Sequence, residues 1–242
     1  DKLGYNYYFQ YTITGYKKEL ERFTPSPQKA IETFIELSDK IGKEKVIWRY
    51  DPIILSDYSN YEEHLRLFEK ISSMLENKTD KVVISFADLY KKITNNLTNI
   101  GYKDILDNKK ELYFFCEQLS NIAKSRKMQI ETCTEEIDLG IFGINPTKCI
   151  DDKLIDRLFN KNLGLSKDKN QRKECDCVES VDIGMYNTCS HGCVYCYATF
   201  SDSTVKKNKL LHNPNSPLLV GKFEDLDEEI KNKLNLQQGS LF

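Results

Sequence analysis

Lys45-Val-Ile-Trp-Arg-Tyr-Asp-Pro52 decides the fold: its β-branched and aromatic run, opened by a charged stretch and closed by an Asp-Pro turn signal, reads as a strand. Beyond it Leu65, Phe68, Ser72 and Leu75 recur at helical spacing, so the strand gives way to a helix. The same pair stands before it. Residues 5–13 are rich in aromatic and β-branched side chains and stop at Thr14-Gly15. Ser26-Pro27 then supplies an N-cap followed by proline, and Ile31, Phe34, Ile35 and Ile41 form a helical stripe that ends at Gly42. The pair also recurs downstream. Residues 81–86 read as a third strand, Leu112, Phe115, Leu119, Ile122 and Ala123 stripe the next helix, and residues 129–133 read as a fourth strand. A short helix is expected over 153–159 and a fifth strand over 178–183.

Strands alternating with helices imply right-handed crossovers and a parallel sheet. The expected class is α/β: a partial or permuted (β/α) barrel with parallel strands and a C-terminal cysteine-rich loop. A doubly wound open sheet is the alternative, although no glycine-rich phosphate loop follows any strand. Residues 1–165 form the expected barrel-like body and 166–211 a cysteine-rich segment completing it. Residues 212–242 make a linker and a short amphipathic tail helix on Leu226, Ile230 and Leu234, expected to dock on the body. A barrel works at the carboxyl ends of its strands. Arg49 and Asp51, Asp88, Glu131, Thr132, Glu135 and Glu136, and Asp182 fall near those ends.

A chain of 242 residues can bury a full core. Lys and Arg total 35 against 37 Asp and Glu, a formal net charge of -2, so no global positive field draws it to nucleic acid or anionic lipid. No apolar stretch approaches the roughly 20 residues of a membrane span, and no signal peptide opens the chain. A cytoplasmic location is expected. The chain begins at Asp1 without methionine and is expected to be a fragment.

Five of the eight cysteines crowd into residues 175–196, a clustering that argues for metal over disulfides. Cys189, Cys193 and Cys196 form a Cys-x3-Cys-x2-Cys triad in Tyr186-Asn-Thr-Cys-Ser-His-Gly-Cys-Val-Tyr-Cys-Tyr-Ala198. Three thiolates are one short of a closed zinc or four-iron site, and so suit a [4Fe-4S] cluster with one iron open. Zinc remains an alternative, with His191 or another cysteine as fourth ligand. Cys175 and Cys177, completed by Cys149 and Cys133, could hold a second cluster or zinc; otherwise Cys133 is a small buried hydrophobe and Cys149 a loop thiol. Cys116 sits on a helical stripe and reads as core.

Arg49 could grip the carboxylate of a substrate or cofactor, or form an ion pair with Asp51 that ties the fold together. Glu135 and Glu136 could meet a cofactor's amino group or ribose hydroxyls, or simply be solvated. Tyr186, Tyr195 and Tyr197 could wall a cluster or pack ordinarily. His64 is placed on a surface helix and His212 in a linker, and neither suggests catalysis.

The triad loop, with His191-Gly192 and Tyr195, resembles the cluster loop of radical S-adenosylmethionine enzymes. That resemblance implies that the open iron binds the amino acid end of S-adenosylmethionine, with Tyr195 and Tyr197 as cofactor contacts. One electron, from a donor such as flavodoxin or ferredoxin, then generates a 5'-deoxyadenosyl radical that attacks a substrate left unnamed. Over the loop alone the sequence is also similar to spore photoproduct lyase and its relatives, but the acidic balance offers DNA nothing. The strings Val46-Ile-Trp-Arg-Tyr-Asp-Pro52, Val83-Ile-Ser-Phe-Ala-Asp-Leu-Tyr90, Glu131-Thr-Cys-Thr-Glu-Glu-Ile-Asp138 and Cys175-Asp-Cys-Val-Glu-Ser-Val-Asp-Ile-Gly184 resemble the bacterial DUF1848 family across nearly the whole chain. The likeness implies unknown function, a C-terminal cysteine cluster similar to that of radical S-adenosylmethionine proteins, and first barrel strands bearing a Ser-Arg-Arg-Thr-Asp stretch that is absent here. In ordinary radical enzymes the cysteine loop follows the first strand, whereas here it follows the last. Circular permutation would reconcile the two, because a barrel's last strand neighbours its first. With Arg49, Asp51 and Glu135 as its expected substrate or cofactor contacts, an iron-sulfur enzyme is the leading expectation. A non-catalytic iron-sulfur or zinc protein, structural or redox in role, is the alternative.

Overall fold

The computed structural model describes residues 4–87 and 93–232. Its elements in chain order are β1 (Phe9–Thr12), α1 (Pro27–Ile41), β2 (Val46–Ile53), α2 (Tyr61–Met74), β3 (Lys81–Phe86), α3 (Thr94–Asn99), α4 (Lys109–Ser125), β4 (Gln129–Cys133), β5 (Asn145–Thr147), α5 (Asp152–Phe159) and α6 (Asp202–Leu211). The five strands form one sheet in the order β1-β2-β3-β4-β5, every neighbouring pair parallel. A doubly wound sheet reverses its strand order at a switch point. This sheet has no reversal, so that alternative falls. It is a mixed α/β fold whose sheet, among the described residues, does not close on itself.

Successive right-handed steps in one direction put the connecting helices on one face. The packing agrees. Trp48 and Tyr50 of β2, Val82 and Ile84 of β3 and Ile130 of β4 are buried with Ile31 and Phe34 of α1, Phe68 and Ile71 of α2, and Leu112, Phe115 and Cys116 of α4. Burial pushes the Cys116 thiol up to about 12, as befits a core cysteine. Local signals start these helices where the sequence places them. The Ser26 hydroxyl accepts from the Lys29 amide at 3.3 Å, Asn60 caps α2, and Gly42 leaves α1 with φ 96°.

Strand periodicity turns the alternate residues of β2, Ile47, Arg49 and Asp51, to the opposite face. Near the amino ends of the strands that face is apolar, with Ile47 and Val83 covered by Leu154 of α5. At the same level lies an ion pair, Lys81 Nζ to Glu131 Oε2 at 2.7 Å, both side chains largely buried. Glu131 is therefore a partner inside the sheet rather than a residue of the mouth, and Thr132 is buried. Arg49, Asp51, Ser85 and Cys133 follow toward the carboxyl ends.

Several expectations are corrected. β1 is shorter than the aromatic run that announces it. The fifth strand is Asn145–Thr147; residues 178–183 are not a strand, and Val181 and Ile183 lie 88 % and 82 % exposed. The segment 166–211 thus supplies no strand to the sheet. His64 is fully buried rather than on a surface face, its ring bonded to the Tyr50 hydroxyl at 2.8 Å and the Ile54 carbonyl at 3.0 Å. The polar run before His212 is the helix α6, capped by Ser201. Ile230 is 43 % exposed, so the tail is not buried on the body there; Leu234 and Asp88 lie outside the described residues. Among the described residues no helix is long and apolar enough to cross a membrane.

Candidate functional site

Above the carboxyl ends of β2, β3, β4 and β5 lies a cavity of about 450 Å³. Arg49, Asp51, Glu135, Cys133, Cys149, Cys175, Cys177, Tyr195, Cys196 and Tyr197 all line it. Of the triad only Cys196 lines it; Cys189 and Cys193, like Glu136, Tyr186 and His191, stand outside the lining. Open α/β sheets and barrels alike bind ligands at this end.

Arg49 makes the ion pair that the sequence left open. Its Nε donates to Asp51 Oδ2 at 2.9 Å and its Nη2 meets the same oxygen, while Nη1 donates to Gln10 Oε1 at 2.6 Å and to Cys149 Sγ at 2.9 Å. Ser85 donates its hydroxyl to the other Asp51 oxygen. Glu135 ties two strand ends together by accepting the Phe86 amide at 2.8 Å, and Glu136 is solvent-exposed.

The triad rides on a closed loop. The Asn187 amide donates to the Ala198 carbonyl at 2.8 Å, shutting the loop at its base. Asn187 itself is buried in the left-handed region, φ 57°, and its Oδ1 accepts from the Phe200 and Ser201 amides at 3.0 and 3.2 Å. From α6, Asn208 donates to the Asn187 carbonyl at 3.1 Å. The loop is also pinned to the connection between β1 and α1. Val194 donates its amide to Leu20 O at 2.9 Å, Phe23 donates to His191 O at 2.8 Å, and Val194 is buried beside Tyr16, Leu20, Ile54, Leu97 and Ile100. Gly192 is required at its turn: φ is +65°, and a Cβ would stand 3.0 Å from the Phe23 ring.

Glu21, buried beneath this loop, is a residue that sequence reasoning missed, since it sits in an unremarkable charged run. Its Oε1 accepts from the Thr14 and Tyr195 hydroxyls, each at 2.6 Å. Burial pushes Cys193 up to about 12, and the Glu21 carboxylate adds to the effect. Burial likewise raises Tyr195, with Glu21 again second. Tyr195 is thus held as a neutral hydrogen-bond donor, while Tyr197, 52 % exposed, borders the opening. Tyr186 is exposed and does not line the cavity.

The other cysteines reach the cavity from separate segments. Cys133 ends β4 and Cys149 follows β5; their sulfurs are 3.0 Å apart. The hydrogen bond the two thiols share, with the Arg49 guanidinium beside them, holds the first of the pair to ionise below the usual thiol range and the second above it. Cys177 Sγ accepts from the amides of Cys149 and Ile150 at 3.2 and 3.4 Å. Tyr8 and Gln10, also missed, both donate to the Cys149 carbonyl, at 2.6 and 2.5 Å. Nothing in a short aromatic strand signals that task.

Among the described residues no three His, Cys, Asp or Glu side chains are drawn together as they must be to hold a single metal ion. The donor set of the loop nonetheless fits a cluster held from one side: three thiols lie on one short closed loop, and Cys196 faces the cavity.

Residues 1–198 match the model of a family described as a domain of unknown function, DUF1848. No curated protein matches the chain. No solved structure matches it.

Proposed function

The chain belongs to the DUF1848 family, and we propose that it is an iron-sulfur enzyme of the radical S-adenosylmethionine type built on an incomplete (β/α) barrel. Cys189, Cys193 and Cys196 are the ligands of a [4Fe-4S] cluster with one iron open. A cluster of this kind, with S-adenosylmethionine bound, supplies one-electron cleavage of the cofactor to a carbon radical. The single observation that carries the reading is the docking of the triad loop over the carboxyl-end cavity, with Tyr195, Cys196 and Tyr197 in its wall. The strand order, advancing one step at a time with α1, α2 and α4 on one face, supports the barrel.

The loop's anchor supports permutation. It grips Leu20 and Phe23, in the connection that follows the first strand of the sheet. An ordinary radical enzyme grows its cluster loop after an early strand, so an anchor on the first connection of this sheet supports a loop moved to the end of the chain. This chain's own residues have definable tasks in the reading. Glu21 holds the Tyr195 hydroxyl and so fastens the loop to the β1–α1 connection, the apolar contacts of Val194 exclude water beneath it, and Glu135 fixes the cavity rim. An electron arrives from a flavodoxin- or ferredoxin-like donor, and the substrate occupies the cavity.

Anaerobic reconstitution with ferrous iron and sulfide, followed by metal and sulfide analysis, tests cluster formation; replacement of Cys189, Cys193 and Cys196 by Ala should remove one cluster. Electron paramagnetic resonance of the reduced full chain should change when S-adenosylmethionine is added. An unchanged spectrum in a protein that holds the cluster would reject the enzymatic reading and leave a non-catalytic iron-sulfur protein.

A further inference from the structure

Cys133, Cys149, Cys175 and Cys177 lie on three chain segments, yet all four line the same cavity, and Cys175 and Cys177 are almost fully buried. Three elements place them. β4 delivers Cys133, the turn after β5 delivers Cys149, and a strap over 167–178 delivers Cys175 and Cys177. That strap is fastened by the Lys167–Val178 bridge, by Val178 N to Ile150 O at 3.2 Å and by Asp168 N to Cys177 O at 2.9 Å.

The surroundings are built for sulfur carrying negative charge. Two backbone amides donate to Cys177 Sγ, and a buried guanidinium donates to Cys149 Sγ at 2.9 Å. The Cys149 carbonyl is clamped by Tyr8 and Gln10, so that this residue is fixed through its amide, its carbonyl and its thiol together. Hydrogen bonds to the sulfurs and a nearby cation are the means by which a protein stabilises and tunes a thiolate-ligated metal centre. A single buried cysteine that merely fills space needs none of this, and Cys116 is such a one, packed in the main apolar core.

We infer that Cys133, Cys149, Cys175 and Cys177 form a second, closed four-thiolate metal centre, with Arg49 as the positioning residue for Cys149. The ligand is a thiophilic metal, either an iron-sulfur cluster or zinc; the four thiols do not already stand as a single-ion cage, so their side chains turn toward the metal as it loads. Closure by four protein ligands leaves no open coordination site, so this centre relays electrons or fixes the mouth and does not bind substrate. The role of Arg49 changes with it. Its fork is engaged by Asp51, Gln10 and Cys149, so it supports a ligand instead of gripping a substrate carboxylate.

The inference uses none of the triad's residues, so the two readings can fail separately. In the full chain carrying Cys189→Ala, Cys193→Ala and Cys196→Ala, one arm is reconstituted anaerobically with ferrous iron and sulfide and another with zinc alone. Metal should be retained in one arm, with four fewer thiols open to a thiol-reactive dye than in the metal-free protein. Adding Cys177→Ser should cut the retained metal at least tenfold while circular dichroism stays unchanged. Arg49→Gln should lower the reduction potential of an iron centre, or weaken zinc binding, with partial recovery in Arg49→Lys. Absence of both metals from a folded triple-alanine protein overturns the inference. So does a Cys133–Cys149 disulfide recovered by mass spectrometry from anaerobically prepared protein, because it would consume two ligands. Conversely, replacing these four cysteines by Ser should leave the triad's iron in place.

Discussion

His64 occupies a position where chemistry and packing meet. It is fully buried between Tyr16, Tyr50 and Phe115, bonded to a hydroxyl on one side and a carbonyl on the other, and burial lowers its pKa from 6.5 to about 4. The folded state therefore keeps the ring neutral where the unfolded chain protonates it. Above pH 6.5 neither state binds the proton and the stability is intact. As pH falls from 6.5 toward 4 the unfolded state binds one more proton, and stability declines by about 1.4 kcal/mol per pH unit, or about 3 kcal/mol in all. Urea unfolding of the wild type and His64→Gln between pH 7 and pH 4 should show this extra decline in the wild type only. Parallel pH profiles would mean that the ring is protonated inside the fold. The local sequence around His64 points the other way: Glu62, Glu63 and Arg66 beside it look like solvent-facing helix, and the partners across the fold, Tyr50 and Ile54, reveal the buried side.

At the scale of the elements, α5 has an unusual task, since its Leu154 covers the face of the sheet turned away from α1, α2 and α4. Asp151 caps it by accepting from the Lys153 and Leu154 amides at 3.0 and 3.2 Å. Leu154 is 3 % exposed against Ile47 and Val83. Leu154→Ala should cost about 2–5 kcal/mol in urea unfolding, because the hole it leaves lies against rigid strands. A loss below 1 kcal/mol would place the helix outside the folded core. The helix was legible because its apolar spacing is regular, and β3 and β4 were legible because their runs are apolar and bounded by turns. β5 was not: Asn145-Pro-Thr147 has no hydrophobic alternation, and its proline is tolerated because an edge strand is bonded on one side only. The opposite error has the same root. Val178 to Ile183 has strand composition, but among the described residues only Val178 finds a bridge, to Lys167, and no ladder extends it, so composition alone could not decide.

For the whole molecule, the site was legible as a list of residue types and illegible as a place. Cys133, Cys149 and Cys177 announce themselves by chemistry, but their convergence depends on β4, β5 and a strap whose pairing no local spacing encodes. The same holds for the triad loop, which owes its position to Val194, an ordinary apolar residue in the motif. Val194 enters a second hydrophobic cluster, with Tyr16, Leu20, Ile54, Leu97 and Ile100, distinct from the core beneath the sheet. Two clusters allow the loop to leave its seat while the sheet and its helices stay folded. Val194→Asp would bury an unpaired carboxylate, a cost of several kcal/mol that undocking the loop relieves. Far-UV circular dichroism should then stay close to wild type, while hydrogen exchange at the Leu20, Phe23 and Val194 amides and alkylation of Cys193 accelerate at least tenfold. Cys116, inside the main core, should remain unreactive in the same sample, which separates release of the loop from general unfolding. Alkylation of Cys193 and Cys116 together would show instead that the two clusters fold as one unit.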